Sequence, residues 1–148
     1  MIKSLLFGGA NIDSIGANIG VAVLRIFTGL SMAFAHGLGK IPPSEGFVKG
    51  TGEMGFPAPE LFAWAAALSE FAGGILLALG LMTRPASFFI GVTMLVAAFI
   101  RHSADPFGRK EKAFLFLAVA VCFALIGAGK YGVDAWVRKR SGAFSSGE

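Results

Sequence analysis

Residues 61–82, LFAWAAALSEFAGGILLALGLM, carry a single ionisable side chain, Glu70. At about 1.5 Å of rise per residue the stretch reaches roughly 30 Å as a helix, the thickness of a bilayer's hydrocarbon core. The rest of the chain favours a membrane span over a buried soluble helix. Its 148 residues are 55% hydrophobic and only 15% charged, with a mean hydropathy of +0.70, more apolar surface than a small soluble fold can hide. A carboxylate at mid-bilayer costs on the order of 2.5 kcal/mol or more unless it is neutralised or paired, so Glu70 demands a partner.

Taken in order, the chain reads as all-α, an integral membrane four-helix bundle. Residues 1–14 form an interfacial segment, because Asn11 and Asp13 interrupt the apolar run behind Lys3 before a signal-peptide core can form. Residues 15–136 make the four-span domain, with spans at about 15–36, 60–82, 85–102 and 111–129. Between the first two spans lies the one long loop, GLGKIPPSEGFVKGTGEMGFPAP, glycine- and proline-rich and without a pattern of regular structure. Pro85 suits the first position of the third helix, and Asp105-Pro106 and Phe107-Gly108 mark a turn before Glu111 opens the fourth. Residues 137–148 are a basic run followed by a Ser/Gly tail expected to be disordered, with Trp136 as an interfacial anchor.

Arg25 is the best partner for Glu70. Arg25, Gly29, Met32 and His36 fall on one helical stripe, and Ala63, Ala66, Ala67, Gly73 and Gly74 make the Glu70 side of its helix small enough for close packing. Counted from the long-loop side, both charges lie roughly 15 Å deep, so they are expected to meet. Such a pair is either a buried site for a polar head group or proton relay, or an ion pair that fixes helix register. Lys40 suits a substrate anion or a lipid phosphate. His36 and His102 lie at the boundary, as interfacial side chains or proton relays. Arg84, Tyr131 and Asp134 are expected to cap the corner joining the ends of spans two and four, and Glu111 to pair with Arg101 or His102 or to favour its own helix N-terminus.

Several chemistries find no support. Cys122 is the only cysteine, which excludes an intramolecular disulfide and a CxxC pair. Glu45, Glu53 and Asp105 have no metal-ligand spacing with the histidines, so no metal is expected. The chain shows no resident haem, flavin or metal motif and no basic, aromatic-interleaved patch for nucleic acid. Lysines and arginines are nearly balanced between the two sides; the short loop at Arg84 and the VRKR cluster favour cytoplasmic termini.

Arg25 followed by HGLGK, then E-x-x-G-G-x-L-L-x-L-G-L-x-T-R from Glu70 to Arg84, a glutamate opening the fourth span and G-x-G-x-Y-x-x-D at its end together resemble the DoxX family of small bacterial and archaeal membrane proteins. The resemblance spans roughly Asn18 to Trp136. It departs at the closing motif, commonly G-P-G-x-x-S-x-D, where this chain has Gly127-Ala128-Gly129 and Gly132-Val133-Asp134. It implies a left-handed four-helix bundle in the cytoplasmic membrane, linked to redox chemistry beside a protein partner or as a homo-oligomer. An accessory subunit of a quinone-linked or sulfur/quinone oxidoreductase is the implied role, with Arg25, His36, Lys40 and Glu70 as candidate ligand-binding residues, and Arg25, Glu70 and His36 as catalytic ones. The alternatives are a non-catalytic structural or assembly subunit, and a small transporter or proton conduit using Glu70; the missing inverted repeat weighs against the last.

Overall fold

The computed structural model describes residues 6–140. Among them there are six α-helices and no strand. Helix α1, Ile15–Leu30, continues without a break through a π-helical stretch, Ser31–Gly37, and a 3-10 turn, Leu38–Lys40. Then follow α2, Glu45–Glu53; α3, Pro59–Leu79; α4, Thr83–Val96, with a π-helical extension Ala97–Arg101; α5, Phe107–Ile126; and α6, Val133–Arg140. Among the described residues three segments are long and apolar enough to cross a membrane: Ile15–Lys40, Pro59–Leu79 and Thr83–Arg101. Helix α5 is 20 residues long, but Arg109, Lys110, Glu111 and Lys112 occupy its first turns and leave Ala113 to Ile126 as its apolar part.

The polarity of the fold is that of a lipid-embedded protein. Large side chains point outward, among them Phe27, Phe88, Phe89, Phe99 and Leu125, all more than half exposed. Asn18, Arg25, Thr28, Glu70, Thr83, Ser87 and Asp134 are buried instead. In hydrocarbon this is the favourable arrangement, because acyl chains solvate apolar side chains while polar groups must find partners inside. Helix α1 packs on α3, α3 on α4 and α4 on α5, and α5 touches α1 to close the ring. Met32, Leu77, Ile90, Met94 and Phe123 fill the middle.

Glycines set the register of α1 on α3. A Cβ on Gly29 would lie 2.5 Å from both Ala78 N and Gly74 O, and one on Gly37 would lie 2.5 Å from Phe71 N. Only a hydrogen in place of the side chain lets these backbones touch, the usual device for helix association in lipid. Because Gly37 is packed against α3, the helix persists to Lys40 through a sequence that reads as the start of a loop. Inside that loop α2 also forms, with the Ser44 hydroxyl accepting from Phe47 N–H at 3.3 Å and Glu45 favouring the helix N-terminus. Its glycines, Gly46, Gly50 and Gly52, hide the helical pattern from a sequence reading.

At the far end α3 stops at Leu79 because Gly80 adopts the left-handed conformation, φ 68°. Leu81 N–H reaches Leu76 O at 3.0 Å and Gly80 N–H reaches Leu77 O at 3.0 Å, a Schellman closure. The amino-terminal segment crosses the α5–α6 corner, where Ala10 N–H donates to Ile126 O at 2.9 Å. Residues 1–5 and the expected disordered tail beyond residue 140 lie outside the described residues.

Candidate functional site

The expected pair between Arg25 and Glu70 is not made. Arg25 is 1% exposed and lies level with the last turn of α3, where its Nη1 donates to Leu77 O at 2.8 Å and to Ala78 O, and its Nη2 to Tyr131 O at 3.4 Å. Helix carbonyls left over at a C-terminus need donors, and a cation there also complements the helix dipole. Arg25 therefore closes a helix end. The depth estimate fails because α1 runs on to Lys40: with Gly29 against Gly74 and Gly37 against Phe71, Arg25 falls seven to eight residues, about 11 Å, beyond Glu70 along α3.

Glu70 takes Lys40 instead. The Lys40 Nζ lies 2.6 Å from both carboxylate oxygens, and the Glu70 side chain is 3% exposed against 35% for Lys40. The ammonium comes from the 3-10 turn that ends the first span, so its stem runs from the surface down to an acid about 16 Å along α3 from Pro59. Phe47 of α2 lies beneath the same ammonium, 5.6 Å from Nζ to ring centroid. Phe71, next to the acid, meets Phe34 edge-on at 6.3 Å.

His36 is half-buried and stands edge-on to Phe116 of α5, with ring centroids 5.2 Å apart. The π-helical stretch, with its i→i+5 bonds, winds more residues into each turn than an α-helix does, so His36 turns off the stripe through Arg25 and Gly29. One end of the bundle thus gathers a buried acid, its cation, an imidazole and four phenylalanines. Such a set places groups able to exchange protons beside aromatic faces. Among the described residues no three His, Cys, Asp or Glu side chains converge as metal ligands would.

The remaining candidates assemble the corner at the opposite end. Asp134 accepts from Met82 N–H at 2.8 Å and Thr83 N–H at 2.9 Å, while its own N–H donates to Gly80 O at 2.8 Å. The expected cap thus acts through backbone amides: Asp134, from α6, serves as the N-cap that α4 lacks and holds Met82 at φ 48°. Arg84 Nη2 donates to Leu125 O at 2.7 Å and ties α4 to the end of α5. Tyr131 contributes its carbonyl to Arg25, and its ring is about half exposed. Glu111 is exposed on α5, and the loop's ion pairs are made by Asp105, with His102 Nδ1 at 2.7 Å and Arg109 Nη1 at 3.4 Å. The hydrogen bond from His102 holds the Asp105 carboxyl below the usual carboxylate range, with the Arg109 charge adding to it.

Comparison with known proteins fits this arrangement. The family model described as DoxX matches residues 20–103, which include Arg25, His36, Lys40, Glu70 and Arg84. "Putative oxidoreductase CatD" of Bacillus subtilis (strain 168) is 33% identical over 122 residues, 82% of this chain and 89% of that protein. "Inner membrane protein YqjF" of Escherichia coli (strain K12) is 30% identical over 130 residues, 83% of this chain and 95% of that protein. No solved structure is a significant match. The family match and the two near-full-length relatives agree with the helical, lipid-facing fold, and the chain belongs to the DoxX family of membrane proteins.

Proposed function

We propose that this chain is a four-span subunit of the bacterial cytoplasmic membrane, with cytoplasmic termini, that binds a quinone head group beside Lys40 and Glu70 and supplies protons for its reduction. A quinone takes up two electrons and two protons to become a quinol. A redox partner protein would deliver the electrons, while the chain's part is to bind, orient and protonate. Lys40 Nζ donates to one quinone carbonyl, Glu70 passes protons inward from the surface that Lys40 reaches, and His36 is the donor for the second carbonyl. Arg25, which the sequence placed in this site, belongs to the end of α3. The Bacillus subtilis relative, which carries oxidoreductase in its name, and the Escherichia coli relative, named an inner membrane protein, support the chemistry and the location by analogy.

The observation that carries the reading is the carboxylate of Glu70, 3% exposed and gripped through both oxygens by a lysine that is itself one-third exposed. A group buried at such cost in a membrane span is by default functional. The test is quinone bound to the purified chain in nanodiscs, by mass spectrometry of the extract and by titration with a short-tailed menaquinone or ubiquinone. Wild type should bind saturably, and Glu70→Gln and Lys40→Met should each weaken binding about tenfold or more. Absence of saturable binding by wild type, or unchanged binding by Glu70→Gln, overturns the proposal.

The same grip favours a second reading, a structural or assembly subunit in which Lys40–Glu70 is a latch between the first two spans. Both Glu70 oxygens are already taken by Lys40, which leaves the acid satisfied without a ligand. On that reading the variants melt earlier and neither they nor wild type binds quinone.

A further inference from the structure

At the end of the bundle opposite Lys40, a cleft of about 510 Å³ opens where the amino-terminal segment crosses the junction of α5 and α6. Lys130, Arg138 and Lys139 line it, with Asp13 as the one carboxylate, so three cations and one anion leave a net charge of +2. Its walls are held in place. Asn18, 2% exposed, donates through Nδ2 to Ile12 O at 2.7 Å and Ser14 O at 2.9 Å, while its Oδ1 accepts from Lys130 N–H at 2.9 Å. One buried amide thus fixes the amino-terminal wall and the lysine wall at a set separation. Arg138 Nη1 donates to Phe7 O at 2.6 Å, which anchors its guanidinium, and Lys130 and Lys139 make no ion pair with any described residue.

The level of the cleft identifies the ligand. Asp134, four residues past Lys130, is bonded to the turn between α3 and α4, so the cleft lies at the level where the long helices end and the chain turns. Trp136 is half exposed on the same short helix with the Arg140 guanidinium 4.0 Å from its ring, a combination suited to head-group depth. A fixed pocket with surplus positive charge at that depth fits a phosphodiester better than a neutral or cationic group. We propose that this cleft binds the phosphodiester head group of an anionic phospholipid and seats the α5–α6 corner on the membrane surface. A free phosphate ion would offer the same oxygens, and the experiment separates the two.

The full chain is purified in mild detergent and titrated with phosphatidylglycerol, with phosphatidylcholine as the zwitterionic comparison and inorganic phosphate as the free anion, bound lipid being counted by native mass spectrometry. The double variant Lys130→Gln/Lys139→Gln is compared with Lys49→Gln/Arg109→Gln, which removes the same charge from exposed positions at the other end. Wild type should prefer phosphatidylglycerol, the cleft variant should bind it roughly tenfold more weakly, and the control should stay within about twofold. Asp13→Asn, which removes the opposing carboxylate, should tighten binding a few-fold. Equal retention of the two lipids by wild type, equal losses in the two double variants, or no tightening in Asp13→Asn overturns the proposal. Displacement of phosphatidylglycerol by millimolar inorganic phosphate overturns the lipid assignment in favour of the free ion.

Discussion

Two buried charges in neighbouring spans do different work, and substitution should separate them. Removing Arg25 leaves the Ala78 carbonyl short of a donor and takes one of two from Leu77 O, which keeps Gly80 N–H, at about 1–3 kcal/mol for an unsatisfied group. Arg25→Met should therefore lower the melting temperature in detergent while quinone binding per folded molecule stays unchanged. Loss of binding in a folded Arg25→Met would return the arginine to the site. Lys40–Glu70 should respond asymmetrically: Lys40→Met strands a carboxylate that is 3% exposed, whereas Glu70→Gln strands an ammonium that is one-third exposed and can turn to water. Breaking a buried pair costs about 3–5 kcal/mol when the orphan stays buried, so Lys40→Met should melt well before Glu70→Gln. Outside the spans, Asp105 has its carboxyl depressed by the His102 hydrogen bond. A depressed carboxyl stabilises the fold above its unfolded value and loses that effect as pH falls through its folded value. Protection of the 102–107 loop amides, corrected for the intrinsic pH dependence of exchange, should fall below about pH 4, and Asp105→Asn should abolish that fall.

At the scale of helices, two contacts decide how α1, α3 and α4 fit. Gly29→Ala drives a Cβ to 2.5 Å from two backbone atoms of α3, so the helices must separate or slide, whereas Gly20→Ala meets nothing within 4 Å. Thermal melts should show a loss of about 1–3 kcal/mol for Gly29→Ala, as overpacking costs, and no loss for Gly20→Ala. Asp134→Ala removes acceptors from two amides of α4 and should cost about 1–2 kcal/mol or more, the upper range for a lost N-cap. These contacts also explain what was legible in the chain. The 61–82 run announced its span because hydropathy is local, and the small residues around Glu70 announced a packed face. The partner of Glu70 stayed hidden because it depends on register, which Gly29, Gly37 and Gly74 set through backbone contact. The first strong helix breakers after Ala33 are Pro42 and Pro43, a signal that the span could reach Lys40. The π-helical turn at Ser31–Gly37, which breaks the stripe through Arg25, has no mark in the sequence. Asp134 was legible as a corner residue, but its amide partners follow from the left-handed turn at Gly80 and Met82.

For the molecule as a whole, α5 decides how many times the chain crosses the bilayer. Its charged first turns keep it from reading as a span, yet it packs along α4, and the chain returns with Asp134 to the turn between α3 and α4. The apolar part, Ala113 to Ile126, covers about 21 Å, short of the hydrocarbon thickness. Lys110 and Lys112 can make up the difference by extending their stems to the interface. A fourth crossing places both termini and the 80–83 turn on one side, with α2 and the 102–106 loop on the other. In a Cys122→Ser background, Lys49→Cys and Arg109→Cys should react with an impermeant maleimide in intact cells, and Lys139→Cys only after permeabilisation. Labelling of Lys139→Cys together with Lys49→Cys would lay α5 along the membrane surface and leave three crossings. Labelling of Lys139→Cys alone would keep four crossings and reverse the orientation, placing the Lys40–Glu70 end on the cytoplasmic side.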